Sequence, residues 1–429
     1  MFVRRLVTVA LAVGALLVPT AAHAAAARGP VLDPSFGVGG WVSNDHGGGD
    51  YVIDLATQAD GKILALGNAN EGYFGIERHL PDGSIDYAFG TNGLVATDAD
   101  PDSYWDDPKS ITLLPDGRFL VAGSVSRAGF GAPVVIRYLA DGTVDTTFGV
   151  DGRAFPALGD TVTSARTQGM VRQPDGRIVL AVEGVTSDGS PAPVALRLLP
   201  GGALDPSFGT GGVIRYDFGP HEFHSVRSLA LAPDGDIVVA GSSGYYSTLP
   251  EPTGDLVVAR FTPRGRPDAT FGTNGSVVRD LTGPSGIDIH AGLAVGRDGR
   301  ILQTAALQAA GSETQTPAML RYLPTGKPDR NFGRNGVVTP TAGPVGAPVI
   351  RPNGKILTTG SISQNVALAQ YRPDGRPDQT FGTNGVVVTD LGGYDVGYVV
   401  KIQPTGRLLV GGTGSSAGGT EFTLLRYIP

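Results

Sequence analysis

The stretch that decides the fold is LDPSFGVGG, Leu32 to Gly40, because it is the second half of a unit whose first half does not precede it. The same tail returns with its front attached in RHLPDGSIDYAFGTNG (Arg78 to Gly93) and in QYRPDGRPDQTFGTNG (Gln370 to Gly385). Three phrases alternate in fixed order along the chain. The first is a hairpin phrase, QADGKILALG at Gln58 to Gly67, with further copies starting at Leu114, Gln173, Ala232, Gly296, Arg351 and Gln403. The second is an apolar strand closing on Arg and an aromatic, from GIERHL to TLLRYI at Thr423 to Ile428. The third is the D-x-x-F-G tail, whose phenylalanines are Phe36, Phe89, Phe148, Phe208, Phe271, Phe332 and Phe381. The first tail precedes every hairpin phrase, and the last Arg-aromatic strand, ending RYIP, has no tail after it.

The missing half of the first unit therefore lies at the opposite terminus. A linear solenoid gains nothing by dividing one unit between its ends, whereas a ring gains a non-covalent clasp. Each unit of about 58 residues reads as four strands, A to D, with PDG or PNG turns between β-branched runs. The expectation is an all-β fold: a seven-bladed β-propeller with four antiparallel strands per blade, the last blade closed by the N-terminal strand. It occupies residues 31–429 as a single domain.

Residues 1–24, MFVRRLVTVALAVGALLVPTAAHA, have the Arg4-Arg5 pair, a short apolar run and an Ala-His-Ala cleavage signal, the pattern of a secretory signal peptide. Residues 25–30 are then a short linker. The mature chain is expected to be secreted, or periplasmic in a cell with an outer membrane, and monomeric, with no membrane span. The sequence has no cysteine, which excludes disulfides, a thiol nucleophile and thiolate metal sites. With 65 Gly and 32 Pro in 429 residues, it has the many turns that many short strands require. A formal charge of −7 without a basic cluster argues against a nucleic-acid partner.

The joint motif of PDGKI-type hairpin, Arg-aromatic strand and LDxxFGxxG tail resembles the delta-60 repeat, a bacterial propeller repeat of unknown function, over essentially the whole mature chain. The resemblance implies a propeller and export, and carries no catalytic residues. Departures are Gln370 in the Arg column, and Leu198 and His79 in the aromatic column.

In the six intact units Asp follows the Arg column by eight residues, as in Arg78 and Asp86 or Arg137 and Asp145. These positions face one another across the C–D hairpin, and an exposed pair there is worth only about 0.2–1 kcal/mol, so its expected role is to fix register. The same offset places Arg426 opposite Asp33. The FG phenylalanines read as core, each contributing about 1.5–3 kcal/mol.

A–B and C–D connections are short and uniform, while D–A and B–C connections vary, which puts the individuality of the chain on one face, around the channel mouth. The candidate ligand-binding residues there are His221, Glu222, His224, Asp288, His290, Tyr104, Trp105, Asp106, Tyr394 and Asp395. His46 shares that face, and His79 reads as packing. The preferred reading is a non-catalytic exported binding module, cofactor-free, for an extracellular glycan, peptide or surface protein. The alternative is a metal-assisted lactonase, esterase or lyase, which requires His and carboxylate groups to converge on a divalent ion at the channel mouth.

Overall fold

The computed structural model describes residues 29–429 except 48, 70–71, 128–129, 189–191, 219–222, 246–252, 342 and 417–418, so the leader and nearly all of the linker lie outside the described residues. Every regular element among the described residues is a β-strand. None of them is a helix long and apolar enough to cross a membrane.

The first repeat shows how a unit forms. Tyr51–Thr57, Ile63–Ala69, Tyr73–His79 and Leu94–Thr97 pair in chain order as an antiparallel meander. The turn chemistry read from sequence sets the hairpins: in LPDGR, Gly117 sits at φ 88° and its N–H closes on the Leu114 carbonyl at 3.1 Å. The Asp116 carboxylate accepts the Arg118 N–H at 3.2 Å.

The described strands form six hydrogen-bonded sheets rather than the seven expected. The difference has a local cause. The eight-stranded sheet contains two four-strand meanders, Phe223–Leu231 to Ser276–Arg279 and Ile287–Val295 to Val337–Val338, joined by the single parallel bridge Gly254↔Ile287.

The orphan tail finds its front half. Val31–Leu32 and Trp41–Asn44 both pair antiparallel with Gly419–Ile428, beyond Leu408–Ser416 and Val396–Ile402. Asp33 N–H donates to the Arg426 carbonyl at 2.8 Å, and Arg426 N–H to Gly40 at 2.9 Å. First strands of neighbouring repeats touch in succession as far as Val349–Ile350, Val396–Ile402 packs on Ile356–Ile362 of the sixth repeat, and Val396–Ile402 also packs on Tyr51–Thr57 of the first. Phe36, Phe422 and Leu424 there bury against Val52, Leu55 and Ile63.

The repeated Arg and Asp are not the exposed register pairs expected from the sequence. Arg78 and Asp86 are both buried, with Nε 2.8 Å from Oδ2, and Arg137–Asp145 and Arg426–Asp33 are alike at 2.8 and 2.9 Å. The physical reason is that the next repeat covers them. Arg78 Nη1 donates to the Ala140 carbonyl in the following C–D turn at 2.6 Å, and Arg260 to Pro324 at 2.9 Å. Arg426 reaches forward in the same way to Pro81 of the first repeat. Five of the guanidinium groups also lie over their own FG phenylalanines, those of Arg78, Arg137, Arg197, Arg321 and Arg426, with Arg78 at 4.3 Å from Phe89 and Arg426 at 4.5 Å from Phe36. All seven FG phenylalanines are buried.

A second cation, from the A–B turn, grips most of these aspartates: Lys62 on Asp86 at 2.9 Å, Arg118 on Asp145 at 2.9 Å, Arg407 on Asp33 at 2.6 Å. Where Gln370 replaces Arg, its amide keeps the bond to Asp378 at 2.7 Å, and Lys355 supplies the charge at 2.6 Å. In the fourth repeat Asp236 stands in the A–B cation column, and Arg260 turns toward it at 2.8 Å.

Candidate ligand-binding face

The D–A and B–C connections meet at the starts of the first and third strands of each repeat, where the candidate residues lie. The buried carboxylates among them face inward. Asp106 accepts the Ala99 N–H at 2.7 Å and the Ser103 hydroxyl at 2.6 Å. Asp288 accepts the Leu281 N–H at 2.7 Å and the Thr282 hydroxyl at 2.8 Å. Asp395 accepts the Leu391 N–H at 2.9 Å, and Asp50, in the equivalent place, the His46 N–H at 2.6 Å. These aspartates are staples that tie a variable D–A loop to the strand after it. Asp106, Asp288 and Asp395 thus each hold a D–A loop.

Burial pushes the Asp288 carboxyl up to about 6, against the Leu281 and Thr282 hydrogen bonds and helped by Asp280 and Asp255. A group whose folded pKa is raised contributes stability at acid pH that is lost as pH rises. Wild-type stability is thus expected to fall from pH 4 to pH 6 through this residue. In Asp288→Asn that part of the slope disappears, as the urea midpoint across this interval will show.

His290 is fully engaged as well. Its Nε2 lies 2.7 Å from Ser228 Oγ, and its Nδ1 accepts the Gln303 amide at 3.1 Å. Burial, with Arg227 nearby, pushes the imidazole down to about 3, so it is neutral at physiological pH. Asp288 and His290 share a strand, yet their side chains bond to different partners and do not converge. His221 and Glu222 lie outside the described residues, and His224 is described only through the backbone of Phe223–Leu231. No group of three or more His, Asp or Glu that could hold a metal occurs among the described residues.

The sequence reading missed a buried cluster at the seam between the clasp and the first repeat. Glu77 Oε2 lies 2.9 Å from His79 Nε2 and accepts Asn44 Nδ2 at 3.2 Å, while Oε1 is 3.4 Å from His46 Nε2. His79 Nδ1 donates to the Gly83 carbonyl at 2.9 Å, and the His46 ring meets Phe422 edge-on at 5.2 Å. Burial pushes Glu77 up, but the two imidazoles outweigh it and hold the carboxyl at about 2. Burial pushes His46 down, and Glu77, Asp50 and Asp45 together raise it above its ordinary value. His79 is therefore a hydrogen-bonding partner of Glu77 and of the Gly83 carbonyl, beyond filling the place of an aromatic. The available signal was columnar: Glu77 stands where other repeats have Ile136, Leu196, Ala259, Leu320, Ala369 and Leu425.

The large side chains the face offers to solvent are aromatic, beside exposed aspartates such as Asp45, Asp102 and Asp390. Tyr73, Tyr104, Trp105, Tyr394 and Tyr398 are exposed, from 42 % for Tyr73 to 81 % for Tyr104. Tyr398 meets Tyr51 of the next repeat edge-on at 5.8 Å. The Trp105 ring lies against Gly72, where an added Cβ would stand 3.1 Å from it. Between them, Asp107 pairs with Lys109 at 3.0 Å. Burial, then Asp107 and Tyr398, raise the Tyr51 hydroxyl above its usual value, so it remains a donor.

No curated protein matches the chain in sequence. Among solved structures it is similar to a polysaccharide lyase, a PL25 ulvan lyase bound to -[GlcA(1-4)Rha3S]-, at 10% identity and TM-score 0.51, covering 90% of this chain and 96% of that one. It is also similar to the Vanderwaltozyma polyspora Nup133 β-propeller domain, at 10% identity and TM-score 0.42, over 91% and 98% of the two chains. Segments 58–89, 114–148, 173–208, 232–271, 351–381 and 403–429 match the family described as Domain of unknown function (DUF5122) beta-propeller. With its meander sheets and these matched segments, the chain has an all-β, propeller-type fold, and six of its repeats are similar to that domain of unknown function.

Proposed function

We propose that this chain is a closed, seven-bladed propeller of delta-60 type, exported by residues 1–24, that acts as a monomeric, non-catalytic binding module. Residues 31–429 form the one domain. The seven-blade count is supported by dividing the eight-stranded sheet at its single bridge, Gly254↔Ile287, and by the contact of Val396–Ile402 with Tyr51–Thr57. Ligand is recognised on the D–A/B–C face.

One observation carries the reading. At that face the buried candidates for acid–base or metal chemistry are tied to the scaffold, Asp106 and Asp288 to loop amides and hydroxyls, Asp395 through one oxygen to the Leu391 amide, and His290 to Ser228 and Gln303. The large side chains left facing solvent there are rings, beside exposed aspartates such as Asp102 and Asp390, and exposed aromatics on a rigid scaffold are a mark of recognition surfaces.

The test is equilibrium binding of the purified mature chain to glycan and peptide arrays, with product analysis and elemental analysis of the same preparation. Saturable binding with ligands recovered intact is expected. Turnover of a bound ligand that is abolished by His290→Ala, or a stoichiometric metal ion whose removal stops turnover, would overturn the reading.

A further inference from the structure

We infer that the exposed rings of the last, first and second repeats form a binding site for an uncharged polysaccharide chain. This rests on the binding reading above and names its ligand class. The rings occupy one sector: Tyr394 and Tyr398 precede or begin the last repeat's first strand, Tyr51 and Tyr73 belong to the first repeat, and Tyr104 and Trp105 open the second. The first strands of these repeats pack side by side, and Tyr51 touches Tyr398, so the rings follow an arc across three neighbouring repeats.

Three features select the occupant. Tyrosine and tryptophan present an apolar face with a hydrogen-bonding edge, and a pyranose presents the complementary pair, a C–H face and a rim of hydroxyls. Each ring is rigid and costs little entropy to immobilise. Second, the described residues of the arc form no cationic track: Lys109 is paired with Asp107 at 3.0 Å, Asp102 and Asp390 beside the rings are exposed, and the chain carries a formal −7. A nucleic acid or a polyanionic glycan requires a cationic track, and stacking on rings alone does not supply one. Third, Tyr73, Tyr104, Trp105, Tyr394 and Tyr398 stand out of the surface at 42 to 81 % exposure, with Tyr51 half-buried against Tyr398, and rings so exposed differ from the enclosed apolar pocket that anchors a peptide side chain. A ligand that repeats along its length engages successive rings, so affinity rises with chain length by linked binding.

The experiment is calorimetric titration of the full mature chain with cellohexaose, laminarihexaose and mannohexaose, their disaccharides, an alginate oligomer and a set of unstructured peptides. It is repeated on Tyr398→Ala and Trp105→Ala, whose exposed positions leave the fold intact, as thermal melting will check. Expected is binding of at least one uncharged hexaose, at least tenfold tighter than its disaccharide, weakened tenfold or more by either substitution and insensitive to salt. Binding of peptide or alginate alone, lost in the same variants, would overturn the uncharged-glycan assignment and leave the binding module standing. Hexaose binding unchanged in both variants would overturn the arc as its site, and no binding of any uncharged hexaose at millimolar concentration would overturn the inference itself.

Discussion

Asp33→Ala is expected to lower the free energy of unfolding by about 3 kcal/mol, because it removes one partner of a buried ion pair and leaves the other without compensation. Asp33 is buried and receives Arg426 Nε at 2.9 Å, Arg407 Nε at 2.6 Å, and the Ser35 N–H and hydroxyl at 3.0 and 2.6 Å. Without the carboxylate, Arg426 retains only the carbonyl of Pro81, Ser35 Oγ and the face of Phe36. The loss falls on the strand that joins the two ends of the chain, so faster proteolysis at residues 31–44 accompanies the lower urea midpoint. Asp116→Ala is the control: its pair with Arg118 at 2.6 Å is exposed and is expected to cost less than about 1 kcal/mol. Burial raises the Asp33 carboxyl, but Ser35, Arg426 and Arg407 bring it down to about 2. A depressed pKa means stability that is complete above the unfolded value near 4 and lost as pH falls toward 2. Asp145 and Asp378 are depressed in the same direction, by the Thr147 hydroxyl and two cations for the first, and against burial by Lys355, Thr380 and Gln370 for the second. Unfolding should therefore be steep below pH 4, and shallower in Asp33→Ala.

The second large effect is at Glu77. Glu77→Leu supplies the residue type that other repeats carry, yet it strands the His79 and His46 imidazoles and Asn44 in a buried seam, for an expected loss of about 3 kcal/mol. Adding His79→Tyr restores the column seen at Tyr138, Tyr322, Tyr371 and Tyr427 and is expected to recover the double variant to within about 1 kcal/mol of wild type. Recovery on that scale separates a buried charge cluster from simple loss of packing, since neither substitution reduces the apolar area. The pH profile is the second readout. Glu77, held at about 2, contributes stability that is present above its unfolded value of 4.5 and lost below it. His46, raised above 6.5, contributes stability that is full below 6.5 and lost as pH rises through its folded value. The difference between wild type and Glu77→Leu is therefore largest between about pH 4.5 and 6.5 and narrows on both sides. A difference that is flat in pH would contradict the pairing.

The sequence made the clasp legible because its signal is repeated. With seven D-x-x-F-G tails and seven Arg-aromatic strands set out of phase, only one arrangement pairs Leu32 with Tyr427. The eight-residue offset likewise located Asp33 opposite Arg426, since a hairpin turn fixes which positions face each other. The depth of these pairs was not legible. It depends on the next repeat's turn closing over the guanidinium, a contact 62 residues away for Arg78 and Ala140. The hydrogen bonds around the candidate residues were not legible for a related reason. Asp106, Asp288 and Asp395 resemble free carboxylates in variable loops, but each caps amides four to seven residues earlier, and short-range bonds of this kind leave no periodic trace. His46 and Glu77 lie 31 residues apart on different elements, and only the comparison of equivalent columns exposes the second of them.

The measurement that bears most directly on closure by the N-terminal strand uses the absence of native cysteine. Ser43 and Thr423 are register partners with hydroxyls 2.8 Å apart, 380 residues apart in the chain. A Ser43→Cys/Thr423→Cys chain, oxidised at micromolar concentration, should form one intramolecular disulfide quantitatively, migrate as a monomer and gain about 2–4 kcal/mol of stability. Thiols that remain reduced, or that bridge only between molecules, would mean that the two ends of the chain do not share a sheet.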